Sequence, residues 1–344
     1  MLLIKETRKI FINNKIWVLC LIFVLLYPLV YNYSIGKQPE FYSSSYFQKT
    51  SNFLSGPLNT EKEDFINQEY RNLLTSQNMI DETIDLYRNG SINDEIFKKN
   101  IDQANKVIEK ENEIEYFYKQ YQYVVENPSQ RYFVKTHQWD KVFFNELDYS
   151  LIIFLILIST YIFGIEFLNN FNIVLLTTIN GRKKIFIAKL SIAITTSVLI
   201  GTYTLLVKYL FADIFNLSEW SFPIQSINGF SSIAKGSIST YYILQVIFFV
   251  LGVLLITFLS IFIILYFHKF FHSLLITLCI IILPNFIFHN TSLLTFTPTS
   301  LLSAGDLLSN LKFEIVFTIF FATMILNALL IFLSKKLYNR FGKI

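Results

Sequence analysis

The side chains able to do chemistry in this chain are few and scattered. Of the four histidines, His137, His268, His272 and His289, only His268 and His272 stand close, four residues apart. On a helix that spacing puts both rings on one face, where they could share a metal ion. The plainer reading is that they mark the water interface between two apolar segments. Cys20 and Cys279 both fall inside apolar runs, so the chain offers neither a disulfide framework nor a Cys/His metal motif. It has no Gly-x-x-x-x-Gly-Lys-Ser/Thr loop to cradle nucleotide phosphates and no His-Glu-x-x-His pair to hold zinc. Lys208 and Asn285 read as isolated polar residues within apolar surroundings. No catalytic constellation emerges, and the chain is not expected to be an enzyme.

The informative stretch runs from Gly164 to Leu190. Glu166 closes an apolar run, at a depth where a carboxylate is costly and by default functional or paired. Ile173, Leu175, Leu176 and Ile179 then space out a short amphipathic helix. Gly181 is placed to end that helix in a left-handed cap. Arg182, Lys183 and Lys184 follow, and the next apolar run opens around Lys189. An ordinary basic loop is the alternative, although such a loop needs neither Glu166 nor the amphipathic spacing.

These residues require an apolar scaffold. Of 344 residues, 53% are hydrophobic, 17% aromatic and 16% charged, with a mean hydropathy of +0.45. A soluble domain carries about 25% charged residues. Residues 16–36, 190–207, 236–267 and 315–334 hold no charge at all, and each run meets or approaches the ~20 residues a bilayer-spanning helix needs. Spans are expected at 16–34, 149–168, 188–211, 238–266, 271–289 and 314–334, the first kinked at Pro28.

Charge orients them. The 169–187 loop, the turn at Lys269 and the 335–344 tail are basic, whereas 212–237 and 290–312 are nearly neutral. Six spans with both ends cytoplasmic satisfy every loop under the positive-inside rule. The net charge of +4 thus follows from membrane topology, and a nucleic-acid partner is not expected. The first span reads as a retained signal anchor, because its exit, Tyr31-Asn32-Tyr33-Ser34, offers no small-residue cleavage site.

Residues 1–15 place Leu3, Ile4, Thr7, Ile10 and Phe11 on one helical face and Lys5, Glu6, Arg8, Lys9 and Asn13 on the other. That pattern predicts an amphipathic helix lying on the membrane surface; a frayed basic tail is the alternative. Residues 35–147 hold 13 Lys and Arg against 18 Asp and Glu and are expected outside the membrane. Thr60 to Glu63 form a capping box. Ile66, Tyr70, Leu73, Gln77, Ile80, Ile84 and Tyr87 follow in heptad spacing, which predicts a helix over 60–88. Asn89-Gly90 stops it. A second helix is expected over 91–126, capped by Ser91, with Phe97, Ile101, Ala104, Ile108, Ile114, Tyr118, Tyr121 and Val125 as its apolar positions. The pair makes an antiparallel hairpin. Whether it projects, folds back on the membrane or pairs with a second copy stays open. Thr297-Pro298 either starts a short helix carrying Leu301, Leu302, Leu307 and Leu308 or belongs to a plain interfacial loop.

Taken in order, Glu166, Leu175-Leu176, Thr177-Thr178, Gly181-Arg182 and Lys189 resemble the motif of permease subunits of ABC-2-type transporters. The surface helix and the six spans with both ends inside resemble that family too. The chain departs from it at Thr178-Ile179-Asn180, where the family often has proline, and its long first outer loop implies a subtype with a large extracellular domain. The resemblance implies an all-α polytopic protein of a bacterial cell membrane that exports an amphiphilic cargo, such as an antimicrobial peptide, an antibiotic or a lipid-like molecule. The aromatic residues Phe248, Phe249, Phe262, Phe320 and Phe321 agree with such a cargo, as they do with simple lipid-facing packing. The implied partners are a cytoplasmic ABC ATPase, a second permease copy or related permease, and the lipid bilayer. No cofactor is implied on this chain; ATP and Mg belong to the ATPase. The residues implied in ATPase coupling are Glu166, Phe171, Leu175, Leu176, Gly181, Arg182 and Lys183. Lys5, Arg8 and Lys9 mark the interfacial helix, and Asp306, in a re-entrant segment, is implied near an outer gate. The rival reading is a receptor, sensor or immunity protein whose outer hairpin binds a ligand without transport.

Overall fold

A computed structural model describes residues 2–13, 15–34, 40–126, 132–144, 147–168, 179–212, 217–230, 236–288, 294 and 297–340. The chain forms two compact units, one from 1–34, 138–217 and 239–344, the other from 35–137 and 218–238.

The first unit is helical and apolar. Its helices are α1 (Leu2–Thr7), α2 (Ile16–Ser34), α8 (Tyr149–Leu168), α9 (Ile179–Phe211), α10 (Ile238–Phe267), α11 (Phe270–Ile287), α12 (Gly305–Asn310) and α13 (Phe313–Arg340). Five of them, α2, α9, α10, α11 and α13, are long and apolar enough to cross a membrane. The apolar stretch of α8 with described side chains is shorter, Tyr149–Ile165. Helix α2 continues across Pro28. The third and last apolar helices exceed their expected spans: α9 begins at Ile179, so Gly181 lies inside a helix and does not cap one, and α13 runs through the expected tail to Arg340.

Aromatic contacts set the directions of these helices. At one end Tyr31 meets Phe211 at 5.7 Å, Tyr209 meets Tyr242 at 5.1 Å, and Tyr149 meets Phe286 at 6.3 Å. At the other end Phe163 meets Phe186 at 5.9 Å, Tyr161 meets Phe270 at 6.0 Å, and Phe186 meets Tyr338 at 5.3 Å. Helices α8 to α11 therefore alternate in direction, α2 runs parallel to α9, and α13 runs against it. The α10–α11 turn is tight because His268 takes a left-handed conformation, φ 58°, and its N–H donates to the Ile264 carbonyl, a helix-ending geometry that histidine tolerates better than most residues. Helix α11 starts only at Phe270, so His268 and His272 do not share a helix face, and the spacing argument for a metal pair fails.

The second unit comprises α3 (Ser45–Leu54), β1 (Gly56–Pro57), α4 (Thr60–Arg88), α5 (Asp94–Ile108), α6 (Glu111–Glu126) and β2 (Tyr132–Phe133). A short helix, α7 (Thr136–Phe143), crosses the boundary between the units. The expected helix over 91–126 is two helices broken at Glu109–Lys110. The phase of the apolar residues explains the break. On one continuous helix the face of Phe97, Ile101, Ala104 and Ile108 would point roughly half a turn away from that of Ile114, Phe117, Tyr121 and Val124. Breaking the helix lets both faces pack on α4, and Val124 is buried where Val125 was expected. The caps also shift by a residue or two: Asn59 and Asn93 accept from the N–H groups of Lys62 and Ile96, in place of Thr60 and Ser91. Phe47, Leu54, Ile66, Phe117 and Phe133 form the core. Lys62 donates to the carbonyls of Leu54, Ser55 and Pro57 at 2.9–3.1 Å, so its ammonium is fully used in closing the α3–β1 corner, and burial lowers its pKa.

The expected neutral loop at 212–237 is not separate. Its part from Ser218 on belongs to the second unit. The fully buried Glu219 accepts from Ser55 Oγ at 2.6 Å and from the Lys135 N–H at 2.9 Å, and Tyr123 donates to the Gln225 carbonyl. The unit also ends earlier than the expected 147, since Trp139, Val142 and Phe143 are buried in the apolar unit.

Candidate functional site

At the end of the apolar unit marked by Phe163, Phe186 and Tyr338, α1 packs against α9. The expected division of faces is overturned. Glu6 and Ile10 are the buried residues, 7% and 0% exposed, while Leu3, Ile4 and Ile12 are exposed. Docking side-on to α9 turns inward a strip that mixes both expected faces, so Glu6 and Ile10 are taken from water while Leu3 and Ile4 stay exposed. Lys5 and Arg8 are exposed and Lys9 is half-buried. Lys15, at φ 56°, makes the corner into α2.

Other residues implied in coupling lie nearby in sequence. Glu166 is in the last turn of α8, and Gly181 and Arg182 are in the first turn of α9; their side chains lie outside the described set. Phe171, Leu175 and Leu176 lie outside the described residues. Lys183 is exposed. Lys189, nearly three turns into α9, is fully buried, its ammonium 5.7 Å from the Phe163 ring.

The opposite end holds what the sequence reading missed. Lys208, expected to be isolated, stands 3.6 Å from Asp148, and both side chains are under a tenth exposed. Asp148 caps α8: its Oδ1 accepts from the Leu151 N–H at 3.0 Å and the Ser150 hydroxyl at 2.7 Å. Its Oδ2 accepts from Tyr27 of α2. Lys208 also lies 5.8 Å from the Tyr31 ring, and Tyr203 donates to the Val24 carbonyl at 2.5 Å. One carboxylate thus joins α2, α8 and α9 at a common end. An Asp immediately before an apolar run was a legible N-cap signal; its partner on α9 was not.

Asn285, likewise expected to be isolated, accepts from Thr299 and donates to the Ile281 carbonyl, and Thr299 contacts Thr297 at 2.9 Å. This polar knot ties α11 to the turn before α12. Asp306 is in α12, its side chain outside the described set.

No group of three metal-ligating side chains occurs among the described residues. The chain matches no family model, no curated protein and no solved structure.

Proposed function

We propose that this chain is the membrane subunit of an ABC-type exporter, driven by an ATPase carried on another polypeptide. The observation supporting this reading is the uninterrupted helix α9. It starts directly behind the 169–178 stretch, carries Lys183 at that end, packs there against α1, and reaches the Asp148–Lys208 pair at the other. Its 33 residues span about 50 Å at 1.5 Å per residue. A push on the stretch before Ile179 is thus carried as rigid-body motion to the far end. Six spans with both ends cytoplasmic, a paired second permease copy and an amphiphilic cargo complete the proposal. ATP and Mg act on the motor alone.

Purification in mild detergent tests it. An ATPase should co-purify with the intact chain and be lost on Glu166→Ala or on scrambling residues 170–180. Retention of full function by the scrambled protein, with no ATPase bound, would sink the proposal. Asn100→Cys should react with an impermeant thiol reagent on intact cells; protection would reverse the orientation.

A further inference from the structure

Helix α13 buries one stripe, Val316, Thr323, Asn327, Leu330, Ser334 and Tyr338, while most of its surface is exposed. Three of the six can form hydrogen bonds through an amide or an aliphatic hydroxyl. Asn327 is only 7% exposed, and neither its Oδ1 nor its Nδ2 has a partner; the Ser334 Oγ is likewise sealed and unpaired. An asparagine side chain brings two donors and two acceptor sites, and leaving these unmet in an apolar medium is strongly unfavourable. Among the described residues no other buried amide is unpaired at both its atoms. Asn285 donates and accepts, and Gln245 donates to the Val142 carbonyl at 2.7 Å. Leucine would fill position 327 without this penalty, so the amide calls for a state in which it is solvated.

α13 packs against α9, whose buried residues include Thr196 and Lys189, while the α9 hydroxyl of Ser197 is bonded to Thr257 of α10 at 2.9 Å. The two helices meet through the Phe186–Tyr338 ring pair, 5.3 Å apart near the C-terminal end of α13, and only 22% of the spanning part of α13 is buried.

We propose that α13 shifts against α9 to open a water-filled polar seam running along Ser334, Asn327 and Thr323, and that this structure captures the seam closed. Water is the occupant because it alone meets the donors and acceptors of the Asn327 amide and the Ser334 hydroxyl without a shaped cavity, Thr323 already donating to the Ile319 carbonyl. This inference does not depend on the transport reading.

Thiol accessibility in native membrane vesicles tests it, in a background carrying Cys20→Ala and Cys279→Ala. Thr323→Cys, Asn327→Cys and Ser334→Cys should react with a charged methanethiosulfonate at least about tenfold faster than Leu329→Cys and Phe332→Cys on the exposed apolar face, since the reaction needs water. Adding Asn327→Leu to Thr323→Cys should slow reaction at 323, whereas Asn327→Gln should preserve it. Equal, slow reaction at all five positions, in protein that runs as one folded species in detergent, would show a dry stripe and overturn the seam. Unchanged reaction at 323 beside Asn327→Leu would remove Asn327 from the proposal.

Discussion

Asp148 and Lys208 stand 3.6 Å apart, both nearly inaccessible, and the carboxylate simultaneously caps α8 and accepts from Tyr27. One residue thus fixes the register of three apolar helices at the same end.

Breaking that pair from one side leaves an uncompensated buried charge. Lys208→Met should destabilise the protein by about 3–5 kcal/mol. Asp148→Asn should cost less than Asp148→Ala, because asparagine still caps the helix. Combining Asp148→Asn with Lys208→Met should recover part of the loss. Thermal unfolding in detergent measures all four; strict additivity of the two single changes would mean that the ions do not interact.

Gly305 opens α12 against a backbone, not a side chain. A Cβ there would sit 1.6 Å from the Phe143 carbonyl oxygen. Gly305→Ala should therefore destabilise by at least about 2 kcal/mol. Gly201→Ala should be milder, since its Cβ would meet only the Phe249 and Val253 side chains at 3.2 Å. Equal unfolding temperatures for the two variants would contradict the close approach.

Glu219 is the anchor of the 218–238 segment. Glu219→Ala strands the Lys135 N–H and the Ser55 hydroxyl, and each lost bond to a charged group is worth about 1.5–3 kcal/mol. Limited proteolysis should then cut within 218–238 at protease levels that leave the parent chain whole. An unaltered cleavage pattern would show that the segment docks without the carboxylate.

Asp140 lies in α7, outside the apolar spans, and burial pushes its carboxyl up to about 7. No side-chain donor reaches it among the described residues. A carboxyl whose folded pKa is raised favours the folded state fully below its unfolded value near 3.8. That contribution is lost as pH rises through about 7. Unfolding temperatures should fall between about pH 4 and pH 7, the window this shift spans, and Asp140→Asn should flatten the decline and be the more stable form at pH 8. A decline of the same slope in the variant would assign the effect to another group.

The apolar helices and the two arms of the hairpin were determined by sequence alone. Crossing an apolar layer depends on a local property, a run of uncharged residues of sufficient length, and α2, α10 and α11 fall within one or two residues of their expected limits. The break between α5 and α6 was missed, because one helix was expected over 91–126, although the phase of Ile114 and Phe117 against Ala104 and Ile108 carries it. The partners of polar residues were not. Lys208 and Asn285 read as isolated, Glu6 as a solvated residue and Glu219 as part of a loop. Only the tertiary structure brings Lys208 to Asp148, Asn285 to Thr299, Glu6 against α9 and Glu219 to Ser55. The physical reason is one of range. Hydrophobic periodicity is written in neighbouring residues, whereas an ion pair between two helices depends on how both are rotated and how far each slides, and their packing alone decides that.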